Sequence, residues 1–451
     1  MPNFRPYDRL TSLPSAVADW LPPQHLARFV VEVVDGLDVS AMTQRYRGTG
    51  SIPYHPALLL AILVYGCATG VFSSRKLEQA TYDSIAFRFV AAGEHPDHVT
   101  LATFRRRFLK QIEALFVPVL ELARAMGVLK PGIVGVDGTK IHANASRHNA
   151  LSYAYSGKIE VQLKAEMVEL QALAEVPDRT KLSDDVSIPE ELARRKLRLA
   201  EIIEARAKIE ARADERYAVE QVEYQAKLAA REARAAATGK KPRGRPPQPP
   251  VEGPLPTDQI NLTDEESRIM KMPGGGFEQC YNAQAVVTEG SLLVLARNVV
   301  QDANDKQQIK PMVSELGKLP DDLRDIETLL ADTGYFSATN VDACLAAGIA
   351  PLIAMGRQPH YPSLQDRLGA ASPALTDPTP VEAMAHRLRT PEGRALYALR
   401  KQTPEPVFGI IKSILGFRQF LLRGLDLVRG EWSLVTMAWN IKRMFILTAA
   451  Q

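Results

Sequence analysis

Cysteine is scarce: Cys67, Cys280 and Cys344 are the three in 451 residues, far apart and with no CxxC pair. Such spacing excludes a disulfide framework or a zinc module and fits a reducing compartment. The eight histidines are scattered, and no HExxH arrangement occurs among them. No cationic start followed by an apolar run opens the chain (MPNFRPYDRLT), so no signal peptide is expected. Long apolar runs are missing too. The longest, residues 57–71, contains two glycines, falls short of a bilayer span and reads as a buried helix. The expectation is a soluble, cytoplasmic chain.

What is present is apolar residue enough for a full core, 46%, with the 24% of charged residues usual in soluble proteins. A length of 451 residues implies two or three domains. The net charge of +3 is too small to imply a nucleic-acid partner, so the local grouping of basic residues carries more information.

Residues 1–127 repeat apolar positions at three- and four-residue spacing and are expected to be helical throughout. In HPDHVTLATFRRRFLK, Thr100 is the expected N-cap of a helix bearing Arg105, Arg106, Arg107 and Lys110. Short helices ending in an Arg-rich one point to a DNA-binding module of helix-turn-helix type; a solvated basic face is the alternative. From residue 128 the period changes. PGIVGVDGTKIHA is a short β run with Asp137 at its end, and CYNAQAVVTE and SLLVLARNVV flank a Glu289-Gly290 turn as a hairpin. DKQQIKPMVSELGKL, IETLLAD, SATNVDACLAAG and IAPLIAM then alternate helix and strand. This order implies an α/β fold, a mixed sheet flanked by helices, over residues 128–150 and 256–451.

Residues 151–255 interrupt that pattern. Ser187, Pro189 and Glu190 read as a capping box, and neither Gly nor Pro follows until Gly239, which allows one helix of about 50 residues. Its alternating charges suit a helical hairpin or coiled-coil arm, and the tail GKKPRGRPPQPP cannot pack a core. Residues 357–390 are rich in proline and polar residues and read as a loop, followed by helical segments with basic residues at intervals.

Two aspartates, Asp137 and Asp332, fall at expected strand ends, each followed closely by a glycine, Gly138 and Gly334. Sites in open α/β sheets form at the carboxyl ends of strands. Glu405, in QTPEPVFGIIK, is fixed at a helix start, where Thr403 can cap and Pro404 and Pro406 fit only a first turn. Lys412 lies two turns on along the same face, with Gly409 leaving room between them. Two strand-end carboxylates and a helical third are the hard oxygen ligands that two Mg²⁺ ions, or Mn²⁺, require for phosphodiester cleavage without a covalent intermediate.

VDGTKIHANAS, NLTDEESRIMKMPGGGFEQCYNAQAVV, LLADTGYFS and the long EPVFGIIKSILGFRQFLLRGLDLVRGEWSLVTMAWNIKRM, together with the helical N-terminal region, closely resemble bacterial insertion-sequence transposases of the DDE class. The resemblance implies a ribonuclease H-like catalytic domain with Asp137, Asp332 and Glu405 as the metal-binding and catalytic triad. It implies double-stranded DNA as substrate: cutting at terminal inverted repeats, then joining of the 3′ ends to target DNA. The family's Tyr, Arg, Glu, Lys signature is met by Glu405 and Lys412; its arginine slot holds Lys401, with Arg400 beside it, and Tyr397 stands one place early. A basic group is still expected there, and Lys140 joins the expected DNA contacts. Synapsis of two ends makes a homodimer on DNA the simplest assembly, located with the nucleoid.

Within the tail, Pro242-Arg243-Gly244-Arg245-Pro246 resembles an AT-hook core, whose extended backbone lets Arg243 and Arg245 enter an A·T-rich minor groove; a solubilising basic linker is the alternative. The resulting map is a helical DNA-binding domain over 1–127, an arm over 151–255 and the catalytic domain around it. Competing readings are a nuclease or an inactive, domesticated DNA-binding descendant of the same fold, and a structural coiled-coil protein, which accounts only for residues 155–238.

Overall fold

The structure, a computed structural model, describes residues 21–46, 52–175, 187–239, 244–272, 274–356 and 376–449. Two compact units divide the chain, Met1–Asn144 with Ile269–Gln451, and Ala145–Arg268.

The first unit begins with helices α1 (Leu26–Asp35), α2 (Ser40–Thr43), α3 (Pro56–Thr69), α4 (Ser74–Asp83), α5 (Ile85–Val90), α6 (His98–Ala114) and α7 (Phe116–Ala125). The apolar run at 57–71 is indeed a buried helix: α3 buries every residue from Pro56 to Ala68 and stops where Gly70 turns left-handed at φ +85°. Among the described residues no single helix is long and apolar enough to cross a membrane. The N-cap of α6 is Asp97, not Thr100; its carboxylate accepts the Thr100 backbone N–H at 2.8 Å and the Thr100 hydroxyl at 2.9 Å. An aspartate one turn earlier satisfies the orphan donors better than a hydroxyl already inside the helix.

A mixed sheet follows, built from β1 (Gly132–His142), β4 (Arg268–Lys271), β5 (Phe277–Thr288), β6 (Val294–Val300), β7 (Ile326–Ala331) and β8 (Ala350–Ile353), in the order β4-β5-β1-β7-β8 with β6 also on β5. The expected hairpin is β5 and β6, antiparallel, while β1, β7 and β8 run parallel. Helices α10 (Ile309–Gly317), α11 (Ala338–Ala346) and α15 (Leu425–Thr448) flank it. This mixed α/β sheet is compatible with a ribonuclease H-like domain.

Helix α15 is the core's spine, packing on β6 and on α3, α6 and α7. Asn440 brackets Val294, accepting its N–H and donating to its carbonyl, each at 2.8 Å, and Trp432 donates to the Gln284 carbonyl at 3.1 Å. Residues 380–389, read above as loop, form helix α12 (Pro380–Arg389); residues 357–375 of that stretch lie outside the described residues. Thr379 and Glu382 close a capping box there, which offsets the prolines before it. Helices α13 (Pro391–Ala398) and α14 (Pro404–Gly409) follow.

The second unit holds α8 (Tyr153–Glu175) and α9 (Ile188–Thr238), with a two-stranded ladder of β2 (Ala150–Ser152) and β3 (Gln259–Asn261). At 51 residues α9 matches the length expected from its Gly- and Pro-free sequence. Ser187 is its N-cap position but makes no side-chain cap bond, so the box expected with Glu190 does not close. Arg206–Glu160 and Arg195–Glu166 ion pairs run in opposite sequence order, as an antiparallel hairpin requires. Its apolar centre is small: Leu151, Ile202, Ala205, Ile209 and Ile260, with Tyr153, Ile159, Leu163 and Leu262 against them. Beyond Gly239, residues 244–250 are irregular, and Arg231 donates to the Gly244 carbonyl at 2.9 Å, turning the tail back along α9.

Gly135 lets the α14 segment reach the sheet. A Cβ there would lie 2.8 Å from the Pro404 ring and 3.3 Å from Thr403. Gly135→Val is expected to cost about 1–3 kcal/mol in unfolding free energy by overpacking. Gly317→Ala, where nothing lies within 4 Å, should change it by less than about 0.5 kcal/mol. Urea unfolding followed by circular dichroism reads both, and equal losses would remove the docking role from Gly135.

Candidate active site

Asp137 lies in the middle of β1, not at its end. Antiparallel pairing with β5 continues past it, through Gly138 opposite Gln284 to His142 opposite Cys280, so the Asp-Gly pair makes no turn. The parallel pairing with β7 stops earlier, at Gly135 opposite Leu330. Two residues on from these partners stand Asp137 and Asp332, level with one another where β7 has ended. Asp332 caps the short 3₁₀ turn Thr333–Tyr335, its Oδ1 accepting the Gly334 N–H at 2.8 Å, and Asp137 Oδ1 accepts the Gly138 N–H at 2.8 Å.

Glu405 is exposed in the first turn of α14. Thr403 occupies the cap position, but its hydroxyl donates back to the Leu399 carbonyl at 2.7 Å and leaves the helix start uncapped by side chain. Arg400 joins the acidic residues: its guanidinium lies 2.9 Å from Glu405 Oε1 and 4.0 Å from Asp137 Oδ2. Tyr397 is half-buried beside it; burial pushes its phenol up, and Arg400 acts the other way. Spacing of three puts Tyr397 and Arg400 on one helical face, while Lys401, about 100° further round, is exposed. The basic group expected here is therefore Arg400.

Lys412 does not continue the α-helical face of Glu405. Residues Ile410–Ile414 form a π turn, which changes the angular spacing, and Lys412 Nζ donates instead to Thr139 Oγ1 at 2.9 Å and the Lys140 carbonyl at 3.0 Å. Burial lowers its pKa. Gly409 has open space where a Cβ would be. Lys140 Nζ donates to the Lys271 carbonyl at 2.7 Å.

Away from the carboxylates, Arg105 faces inward. Only 8% exposed, it donates to the Phe72 carbonyl at 3.3 Å and lies 3.9 Å from the buried Glu431. One face of α6 packs on the core, so three successive arginines cannot all reach solvent. Arg106 and Arg107 are exposed, the latter donating to the Arg45 carbonyl at 2.8 Å with its guanidinium over Tyr46. Arg245 is exposed in the irregular tail; Arg243 lies outside the described residues.

Negative charge is concentrated at Asp137. Burial raises its pKa from 3.8 to about 7, and Asp332 and Asp305 push the same way against the Gly138 N–H and Arg400. Among the described residues, no group of three or more acidic, histidine or cysteine side chains is gathered closely enough to hold a metal ion. The donor chemistry of Asp137 and Asp332, two carboxylates near enough for Asp332 to act on the Asp137 carboxyl, is that which a hard divalent cation takes. Asp305, Asn282, Gln284 and Tyr335 behind the aspartates were not foreseen. The available signal was two amides at alternate positions of an otherwise apolar strand, in CYNAQAVV.

Because the folded chain holds a proton on Asp137 up to about pH 7 and the unfolded chain only to about 4, stability falls as pH rises through that window. In metal-free buffer Asp137→Asn should be more stable than the parent near pH 8, by of the order of 2–4 kcal/mol, and equal to it near pH 4. Thermal unfolding in chelator across that range tests this; a difference independent of pH would contradict it.

Comparison with known proteins agrees with the geometry. Residues 15–107 match the family described as Transposase domain (DUF772), and residues 373–445 match the Transposase DDE domain, the second covering Arg400, Glu405 and Lys412. No curated protein and no solved structure matches the chain. Transposase segments toward both ends of the sequence, with the aspartates on the sheet between them, support an insertion-sequence DDE transposase.

Proposed function

We propose that this DNA transposase cuts at the terminal inverted repeats of its element and joins the freed 3′ ends to target DNA, with Asp137, Asp332 and Glu405 as its catalytic carboxylates. The observation that supports the reading is that Asp137 and Asp332 each stand two residues beyond the last β1–β7 partners, with Arg400 4.0 Å from Asp137 and 2.9 Å from Glu405. These three residues would hold the divalent ions, Mg²⁺ by hard-ligand chemistry. Bound there, the metal supplies activation of the attacking oxygen and stabilisation of the leaving one. Arg400 holds Glu405 in place, and its positive charge offsets the carboxylates' repulsion. Lys412, anchored on β1 beside Asp137, and Lys140 would face the phosphate backbone of a bound end.

The remaining assignments belong to the same proposal. Residues 1–127 act as the helical recognition domain, with Arg106, Arg107 and Lys110 as its exposed cations; residues 151–255 act as an arm, and 128–150 with 256–451 as the ribonuclease H-like catalytic domain. Two copies pair the element's ends as a homodimer.

Asp137→Asn, Asp332→Asn and Glu405→Gln should each abolish cleavage and strand transfer while leaving binding of the terminal repeats within about threefold, since each keeps side-chain size and removes one charge. Gel-shift and cleavage assays on one end duplex, with Mg²⁺ and then Ca²⁺, separate the two properties. A variant of Asp137 that still cut at the parental rate would instead favour a DNA-binding descendant.

The arm's tail takes part in DNA binding through its two arginines. Replacing Arg243 and Arg245 together by Ala should weaken binding to A·T-rich duplexes more than to G·C-rich ones. Equal loss on both would reduce the tail to a general phosphate contact.

A further inference from the structure

Behind the paired aspartates lies a closed polar network. Asp305, in the connection from β6 to α10, accepts through Oδ1 from Asn282 Nδ2 at 2.8 Å and Gln284 Nε2 at 2.6 Å. Gln284 is fully buried, and its Oε1 accepts the Tyr335 hydroxyl at 2.6 Å; Tyr335 is fully buried as well. Asn340 donates to the Lys306 carbonyl and to the Tyr335 carbonyl, each at 2.7 Å, tying the same connection to the same turn. The network touches both reactive segments. A Cβ on Gly138, next to Asp137, would lie 2.5 Å from Asp305 Oδ1 and 2.2 Å from Gln284 Nε2. Tyr335 ends the 3₁₀ turn that Asp332 caps.

The direction of these bonds is set by chemistry. An ionised carboxylate only accepts, so it obliges Gln284 to turn its NH₂ toward Asp305 and its carbonyl oxygen toward Tyr335, which must donate. One acceptor thereby orients two buried amides and, through one of them, the turn beneath Asp332. Such orientation is what keeps a pair of carboxylates at a fixed separation without touching the reacting atoms.

We propose that Asp305 is a positioning residue, whose carboxylate, through Gln284 and Tyr335, holds the Asp332 turn in register with Asp137. The proposal rests on the reading of these aspartates as the metal-binding pair. Its effect is on their geometry, so the acceptor oxygen matters more than the charge, which is the smallest of the influences on Asp137. Asp305→Ala removes the shorter acceptor of each amide, leaving Asn282 the Asp302 carbonyl at 3.2 Å and Gln284 the Asn282 Oδ1 at 3.1 Å; Asp305→Asn keeps the acceptor, and Tyr335→Phe removes only the far hydroxyl.

The test measures amide hydrogen exchange in residues 332–336 and Mn²⁺ affinity by titration calorimetry on the full-length protein. Asp305→Ala should speed exchange in that turn and weaken Mn²⁺ binding by about tenfold or more, as loss of a metal ligand's supporting hydrogen bond does. Asp305→Asn should restore both to within about threefold, and Tyr335→Phe should fall between. Unchanged exchange in the Ala and Phe variants would overturn the proposal. So would an Asn variant as impaired as the Ala variant, because charge would then be the requirement. Should the Ala variant fail to fold, the Asn and Phe variants decide between the same outcomes. If the parent protein bound no Mn²⁺, the metal reading would fail by itself, and exchange alone would judge the brace.

Discussion

The parallel pairing of β1 with β7 ends at Gly135 opposite Leu330, while the antiparallel pairing of β1 with β5 runs on to His142. That difference in length creates the site. Beyond Gly135, β1 is held on one side only, by β5, and Asp137 stands beside the point where β7 gives way to the turn capped by Asp332. A shift of one residue in β1 would send Asp137 to the opposite face of the sheet, because side chains alternate along a strand. The tight fit at Gly138 resists such a shift, since a Cβ brought to that place would lie 2.2 Å from Gln284 Nε2 and 2.5 Å from Asp305 Oδ1.

Glycine gives this arrangement its close contacts. Gly135 lets Pro404 and Thr403 lie against β1, which brings in the helix bearing Glu405; Gly138 lets Asp305 and Gln284 lie beneath Asp137. The result is negative charge drawn into a half-buried place, with burial itself the largest influence on Asp137. Arg400 is the nearby countercharge, and it touches a carboxylate from the strand and one from the helix. Burial and the neighbouring carboxylates both oppose ionisation of Asp137, so its charged form is held at a cost in stability.

The helices at the start of the chain and the sheet share one compact unit, joined through α15. Arg105 serves this packing, paired with Glu431 of α15, and Glu431 in turn accepts the backbone N–H groups of Leu421 and Leu422. A basic residue in an Arg-rich run can thus be part of the core. In the second unit the ratio is reversed: a 51-residue helix is held by a small apolar cluster and by ion pairs such as Arg216–Asp258.

The amino-acid sequence by itself determined the local elements where one periodicity or one breaker dominates. The β5–β6 hairpin, the alternation of strand and helix after it, the buried helix at 57–71 and the long uninterrupted α9 all follow from spacing and from where Gly and Pro fall. The acidic residues and their family resemblance were legible for the same reason, being carried by contiguous motifs. Other features depended on partners distant in sequence. Whether Asp137 ends a strand is decided by β5, some 150 residues later by chain position; whether Arg105 meets solvent is decided by α15; whether Lys412 follows Glu405 round a helix is decided by the π turn that docks it on β1. Asp305 carried no local signal at all. Its place beside Gly138 arises only when the β6–α10 connection folds over the sheet, because a hydrogen-bond acceptor is defined by the donors that tertiary structure brings to it.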